Sequence, residues 1–171
     1  MVDLAKQIRD VPDFPKEGIL FKDITTLLKN PEAFKAAIDS IAEKYKNMGI
    51  KKVVGVESRG FIIGAPVAYQ IGAGFNPIRK PGKLPAATIS VTYELEYGTD
   101  TIEAHKDAIL PGEKILIVDD LLATGGTAKA TASLVKQMGG EIVGIAFLIE
   151  LEFLQGIKNL ENYNITSIIK F

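Results

Sequence analysis

The chain contains no cysteine, a single histidine and no surplus of charge of either sign. Without cysteine, disulfides and thiolate metal sites are excluded. Twenty Lys and Arg residues against 21 Asp and Glu leave no basic excess to suit nucleic acid, so no nucleic-acid partner is expected. No apolar run is long enough to span a bilayer and no polybasic cluster addresses a membrane surface, so no membrane partner is expected either. Near the start, Asp3, Lys6, Arg9 and Asp10 interrupt the apolar residues, and the apolar core of a signal peptide is missing. The expected location is the cytoplasm. What remains is a chain of 171 residues, 47% hydrophobic, with no repeats, low-complexity tracts or linkers, which predicts one domain over residues 1–171.

The most informative stretch runs from Ile115 to Thr127. Ile115, Leu116, Ile117 and Val118 are continuously apolar, the pattern of a parallel strand buried on both faces. Asp119 and Asp120 follow at its carboxyl end, where ligands bind in open α/β sheets. Then come Thr124, Gly125, Gly126 and Thr127, and an alanine-rich helical segment over residues 128–138, stopped by Gly139 and Gly140. Glycines that let the backbone curl round a ligand, a helix amino terminus and two threonine hydroxyls form a cradle for a phosphate monoester. The two carboxylates suit hydroxyls instead, so the matching ligand carries a phosphate at one end and a vicinal diol at the other, as ribose 5-phosphate does. Taken alone, the glycines fit ordinary turn chemistry equally well. The run is neither a Walker loop, lacking Gly-Lys-Ser/Thr, nor the Rossmann Gly-x-Gly-x-x-Gly.

In chain order, Leu4, Ile8 and Val11 follow helical spacing and predict a short amphipathic helix near the start. Pro12, Phe14, Pro15 and Gly18 then break regular structure before an apolar patch at Ile19, Leu20 and Phe21. Asn30 and Pro31 read as a cap and first residue of a helix reaching about residue 47. A strand over 51–56 meets the turn Glu57, Ser58, Arg59, Gly60 and a helix over 61–70, which makes a second anion site with an arginine able to bind in bidentate fashion. The strand over 75–79 delivers Arg79, Lys80 and Lys83, three cations within five positions that fit either a solvated turn or, beside two anion sites, the neutralisation of a bound anion. Alternation over 88–93, and more weakly over 101–104, predicts a protruding hairpin whose loop is a candidate lid. His105 has no recognisable partner and is assigned no catalytic part. A long strand over 141–149 precedes a small helix and a final strand.

The run from Ile115 to Thr127 closely resembles the phosphoribosyl pyrophosphate signature of the type I phosphoribosyltransferases. Three further stretches resemble the adenine-specific branch of that family, in order: Phe14 to Ile24, Glu57 to Gly60, and Leu95, Glu96, Tyr97, Gly98. The resemblance implies an α/β fold, a mainly parallel twisted sheet flanked by helices, with an N-terminal hood and a flexible hairpin lid. It implies transfer of the ribose 5-phosphate group of phosphoribosyl pyrophosphate to adenine, giving AMP and pyrophosphate in purine salvage. Asp119, Asp120, Ala123, Thr124, Gly125, Gly126 and Thr127 are then expected to bind the ribose phosphate, and Ser58, Arg59, Arg79, Lys80 and Lys83 the pyrophosphate. Leu20, Phe21, Arg59 and Leu151 are expected around adenine, Glu96 as the catalytic acid/base and Tyr97 on the lid. Magnesium is implied as cofactor, held mainly by the substrate with no direct protein ligand, and a homodimer is the implied assembly. The Glu57–Ser58 peptide is implied to be cis. Two alternatives remain open at this point: a transferase for xanthine or another oxopurine, and a non-catalytic regulator that binds phosphoribosyl pyrophosphate.

Overall fold

The structure, a computed structural model, describes residues 2–94 and 98–171. Its centre is a five-stranded, wholly parallel sheet. The order across it is β4 (Gly74–Ile78), β3 (Lys52–Val56), β7 (Lys114–Leu122), β8 (Glu141–Glu150) and β9 (Ile165–Lys170). Two antiparallel ribbons lie outside it: β1 (Arg9–Val11) with β2 (Phe21–Asp23), and β5 (Thr88–Glu94) with β6 (Thr99–His105).

The continuous apolar run in β7 has the cause its pattern implies. Leu116 and Val118 join a core cluster with Val53 and with α1 (Thr25–Leu28), α2 (Pro31–Tyr45) and α3 (Arg59–Ile71). Ile115 and Ile117 face the other way, into a cluster with Val54 and with Ala128, Ala132, Leu134 and Val135 of α4 (Gly126–Gln137). All four β7 residues are fully buried, and burial of each such side chain is worth about 1.5–3 kcal/mol. Because α3 packs on one face and α4 on the other, the connections leaving β3 and β7 diverge. The gap between the carboxyl ends of these two strands is therefore a topological switch point, where α/β sheets hold ligands.

Two boundaries differ from expectation. β7 does not stop before the carboxylates but continues through Asp119 and Asp120 to Leu122, because β8 is long enough to keep pairing with it as far as Glu150. The acids are thus held by a strand ladder rather than by a turn. The amino-terminal helix is absent: a 3-10 turn at Ala5–Gln7 leads directly into β1. Leu4, Ala5 and Ile8 still pack on the core, so their spacing reports burial, while the pairing of Arg9 with Asp23 and of Val11 with Phe21 decides the backbone. α2 matches its capping signal, with the Asn30 side chain accepting hydrogen bonds from the amides of Glu32 and Ala33.

Candidate active site

A cleft of about 520 Å³ opens at the switch point. It is lined by Val56 to Arg59 at the end of β3, Lys80, Tyr93, Asp100, and the continuous stretch from Asp119 to Ala128. All seven residues assigned to the ribose phosphate therefore meet in one place, together with Ser58, Arg59 and Lys80. The Glu57–Ser58 peptide in its wall is cis.

The floor is acidic. Asp119 lies where α3 starts; a Cβ on Gly60 would stand 2.7 Å from its Oδ1, so this approach needs glycine. The same oxygen accepts the amide of Asp120 at 2.9 Å. Burial raises the pKa of Asp119 well above the usual carboxylate value, and the neighbouring charge of Asp120 raises it further. Burial also raises Asp120, against the opposing pull of the Arg59 guanidinium. Arg59 Nε stands 2.7 Å from Asp120 Oδ2, close enough for an ion pair. Its N–H is not aimed at that oxygen, however, and among the described residues Asp120 Oδ2 is buried without a hydrogen bond. The site thus contains a buried carboxylate oxygen that has Arg59 as its charged neighbour but no hydrogen bond among the described residues.

The walls are charged but internally paired. Glu57 takes the Arg79 fork at 3.0 and 3.3 Å and the amide of Lys80 at 3.0 Å, and the Arg79 bonds hold its carboxyl below the usual range. The Lys80 ammonium pairs with Asp100 and lowers the pKa of that carboxyl likewise. Tyr93 donates to Asp100 at 3.2 Å and shares a hydrogen bond with the Thr127 hydroxyl at 3.1 Å, tying the hairpin to the phosphate loop. Sequence reasoning missed Tyr93 and Asp100 as cleft residues; the only available signal was the inward phase of the β5 alternation.

Some expected residues stand apart. Arg79 and Lys83 do not line the cleft: Arg79 is turned onto Glu57 and the Lys83 carbonyl, and Lys83 is exposed at the following turn. Leu20, Phe21 and Leu151 also lie outside it. Leu151, buried, follows β8 and donates its amide to Leu122 O at 2.9 Å. Leu20 is half exposed beside Phe21, which meets Phe14 edge to face at 5.1 Å. Arg59 connects the two regions, since it lines the cleft and its guanidinium lies 5.2 Å from the centre of the Phe21 ring. Glu96 and Tyr97 lie outside the described residues. His105 ends β6 away from the cleft and accepts the Ala86 amide through Nε2 at 3.4 Å.

Residues 23–169 match the family model described as phosphoribosyl transferase domain. The chain is 59% identical over 170 residues to an adenine phosphoribosyltransferase of Desulfitobacterium hafniense, covering 99% of this chain and 98% of that one. The chain belongs to the adenine phosphoribosyltransferase family. The crystal structure of the family member from Thermoanaerobacter pseudethanolicus superimposes with a TM-score of 0.96 at 54% identity, covering 99% of this chain and 98% of that one. The Saccharomyces cerevisiae member, complexed with an imino-altritol bisphosphate and adenine, gives 0.91 at 40% identity, covering 97% and 96%. Within the family frame, the parallel sheet and its flanking helices are the fold expected from the signature. Among the described residues, no helix is long and apolar enough to cross a membrane.

Proposed function

We propose that this chain, acting as one domain, transfers the 5-phosphoribosyl group of phosphoribosyl pyrophosphate to adenine, forming AMP and pyrophosphate. The observation that carries the reading is the position of Arg59, between a sugar-phosphate cleft and an aromatic hood, in a chain so similar to adenine phosphoribosyltransferases. Backbone amides and hydroxyls from Ala123 to Thr127 hold the 5-phosphate, and Asp119 and Asp120 accept hydrogen bonds from the sugar hydroxyls. Their negative charge also favours the cationic character that the sugar acquires as its bond to pyrophosphate breaks. Ser58, Arg59 and Lys80 stabilise the departing pyrophosphate, with Arg79 and Lys83 reserved behind them. Leu20, Phe21, Arg59 and Leu151 orient the base. An imidazole-ring nitrogen of adenine forms the new bond to the sugar, and the proton on that edge passes to Glu96 while Tyr97 helps close the lid.

Magnesium fits this donor set. Asp119 and Asp120 put hard carboxylate oxygens in the lining of the cleft, and magnesium typically keeps mostly substrate and water oxygens, so no direct protein ligand is required. Held mainly by the substrate, it supplies charge neutralisation to the pyrophosphate. The cytoplasm is the proposed setting. A homodimer is the proposed assembly, supported by the exposed Ile62, Ala65 and Tyr69 along one stripe of α3.

The test is to supply magnesium and phosphoribosyl pyrophosphate with adenine, hypoxanthine, guanine or xanthine and identify the nucleotide formed. AMP from adenine alone is expected. An oxopurine nucleotide in its place overturns the base assignment, and no nucleotide from any base overturns the reaction. Glu96→Gln is expected to lower turnover by about 100-fold while leaving phosphoribosyl pyrophosphate binding intact.

A further inference from the structure

The phosphate loop has a backing that its own motif does not contain. After β8 the chain turns through Gln155 into a 3-10 segment, Gly156–Leu160, anchored by the fully buried Leu160. This segment lies directly behind the loop. A Cβ on Gly156 would stand 2.1 Å from Ala123 O and 2.9 Å from the carbonyl carbon of Thr124, and one on Gly125 would stand 2.5 Å from Gly156 O. Gly125 also has φ +83°, so the two glycines meet back to back with no room for a side chain on either. Three residues on, the Asn159 side-chain amide donates to Thr124 O at 2.8 Å.

These contacts fix two successive peptide planes. The carbonyls of Ala123 and Thr124 both face the 3-10 segment. In a trans peptide the N–H points opposite to the C=O, and among the described residues the only cis bonds are Phe14–Pro15 and Glu57–Ser58. The amides of Thr124 and Gly125 are therefore turned away from the segment, toward the cleft that their residues line. Neither amide has a hydrogen-bond acceptor among the described residues. Two adjacent free donors aimed into one cavity are what a phosphate needs.

We infer that Gly156 and Asn159 are positioning residues for the 5-phosphate site, holding the loop carbonyls from behind so that the loop amides face the ligand. Neither residue touches substrate in this assignment. It rests on the proposed reaction for the name of the ligand, but the geometry concerns only a phosphate.

The test compares ligands that differ by that phosphate. Asn159→Ala, Asn159→Gln and Gly156→Ala are measured for binding of AMP and of adenosine, for KM of phosphoribosyl pyrophosphate and of adenine, and for Tm. For Asn159→Ala, AMP affinity is expected to fall and KM for phosphoribosyl pyrophosphate to rise by about 10-fold, through loss of the one hydrogen bond that holds the Thr124 carbonyl. Adenosine affinity, KM for adenine and Tm should hold, and Asn159→Gln should recover part of the loss. Gly156→Ala is expected to act in the same direction and more strongly. Should Gly156→Ala fail to fold, Asn159→Ala carries the decision alone, since it removes a contact and adds no bulk. Unchanged AMP affinity in Asn159→Ala overturns the inference, as does equal loss of AMP and adenosine binding. A wild-type protein that makes no AMP refutes the proposed reaction without touching the AMP-against-adenosine comparison.

Discussion

The two ends of the substrate region are built on opposite principles. The proposed phosphate end is one unbroken run of chain, Asp119 to Ala128, whose strand is buried on both faces and whose donors toward a ligand would be largely backbone amides. The proposed base end would draw on side chains from separate places: a two-stranded ribbon of three residues each, Arg59 from α3, and Leu151 after β8. Phe14, Ile19 and Leu20 there remain substantially exposed. A backbone cradle tolerates little change and recognises a group common to all its substrates, whereas a few loosely packed side chains can be exchanged to choose another base.

The largest expected effect comes from breaking the cradle. Gly125→Ala strains a left-handed residue and pushes on Gly156, and kcat/KM for phosphoribosyl pyrophosphate should drop by about 100-fold. Steady-state kinetics with each substrate varied in turn measures this. An equal rise in KM for adenine would erase the distinction between the two ends. Next, Asp119→Asn should lower kcat/KM by about 30-fold while raising Tm at pH 7 by about 2–4 °C. The sign follows from its raised pKa. A carboxyl that is neutral more readily in the folded chain favours folding at low pH and becomes a cost as pH rises through its raised value. The thermal gain of the variant should therefore shrink as pH falls toward 3.8, the ordinary aspartate value, in a series of melting curves.

At the base end, Arg59→Lys keeps the charge near Asp120 but loses the flat face over Phe21. KM for adenine should rise about 10-fold with a smaller change for phosphoribosyl pyrophosphate, which a two-substrate kinetic grid resolves. The smallest effect is expected from Asp23→Asn at the root of the hood. The Thr25 amide first, then Arg9 and the Thr25 hydroxyl, bring the Asp23 pKa down to about 2 from the ordinary 3.8. Its stabilising contribution is present in full above 3.8 and fades as pH falls through about 2. A loss of roughly 2 °C in Tm at pH 7, with adenine binding weakened more than phosphate binding, would sharpen the contrast.

The same division governs what could be read from the sequence. The cradle is contiguous, so its strand, glycines and helix stand side by side in the text, and α2 announces itself through Asn30 and Pro31. The β5–β6 hairpin is equally local. The partners that complete the cleft are not. Tyr93 and Asp100 reach it only because the hairpin folds over α4, and beyond the alternation of β5 nothing in sequence marks them out. Gly156 and Asn159 approach the loop from more than 30 positions away, an arrangement that packing alone creates. The missing amino-terminal helix has the same origin, since the ion pair between Arg9 and Asp23 and the strand pairing around it span 14 residues.

The cations of the cleft carry one further consequence. Arg59 already faces Asp120, and Lys80 already faces Asp100, with Arg79 on Glu57 just behind. In the proposed reaction, a polyanion entering here would not meet bare positive charge but would compete with one carboxylate for each cation. Such a site would act as an ion exchanger, in which affinity reflects how much better a phosphate fits each cation than the resident carboxylate does. The resident pairs are partly buried and screened less than a solvated polyanion, so binding should weaken as salt is added.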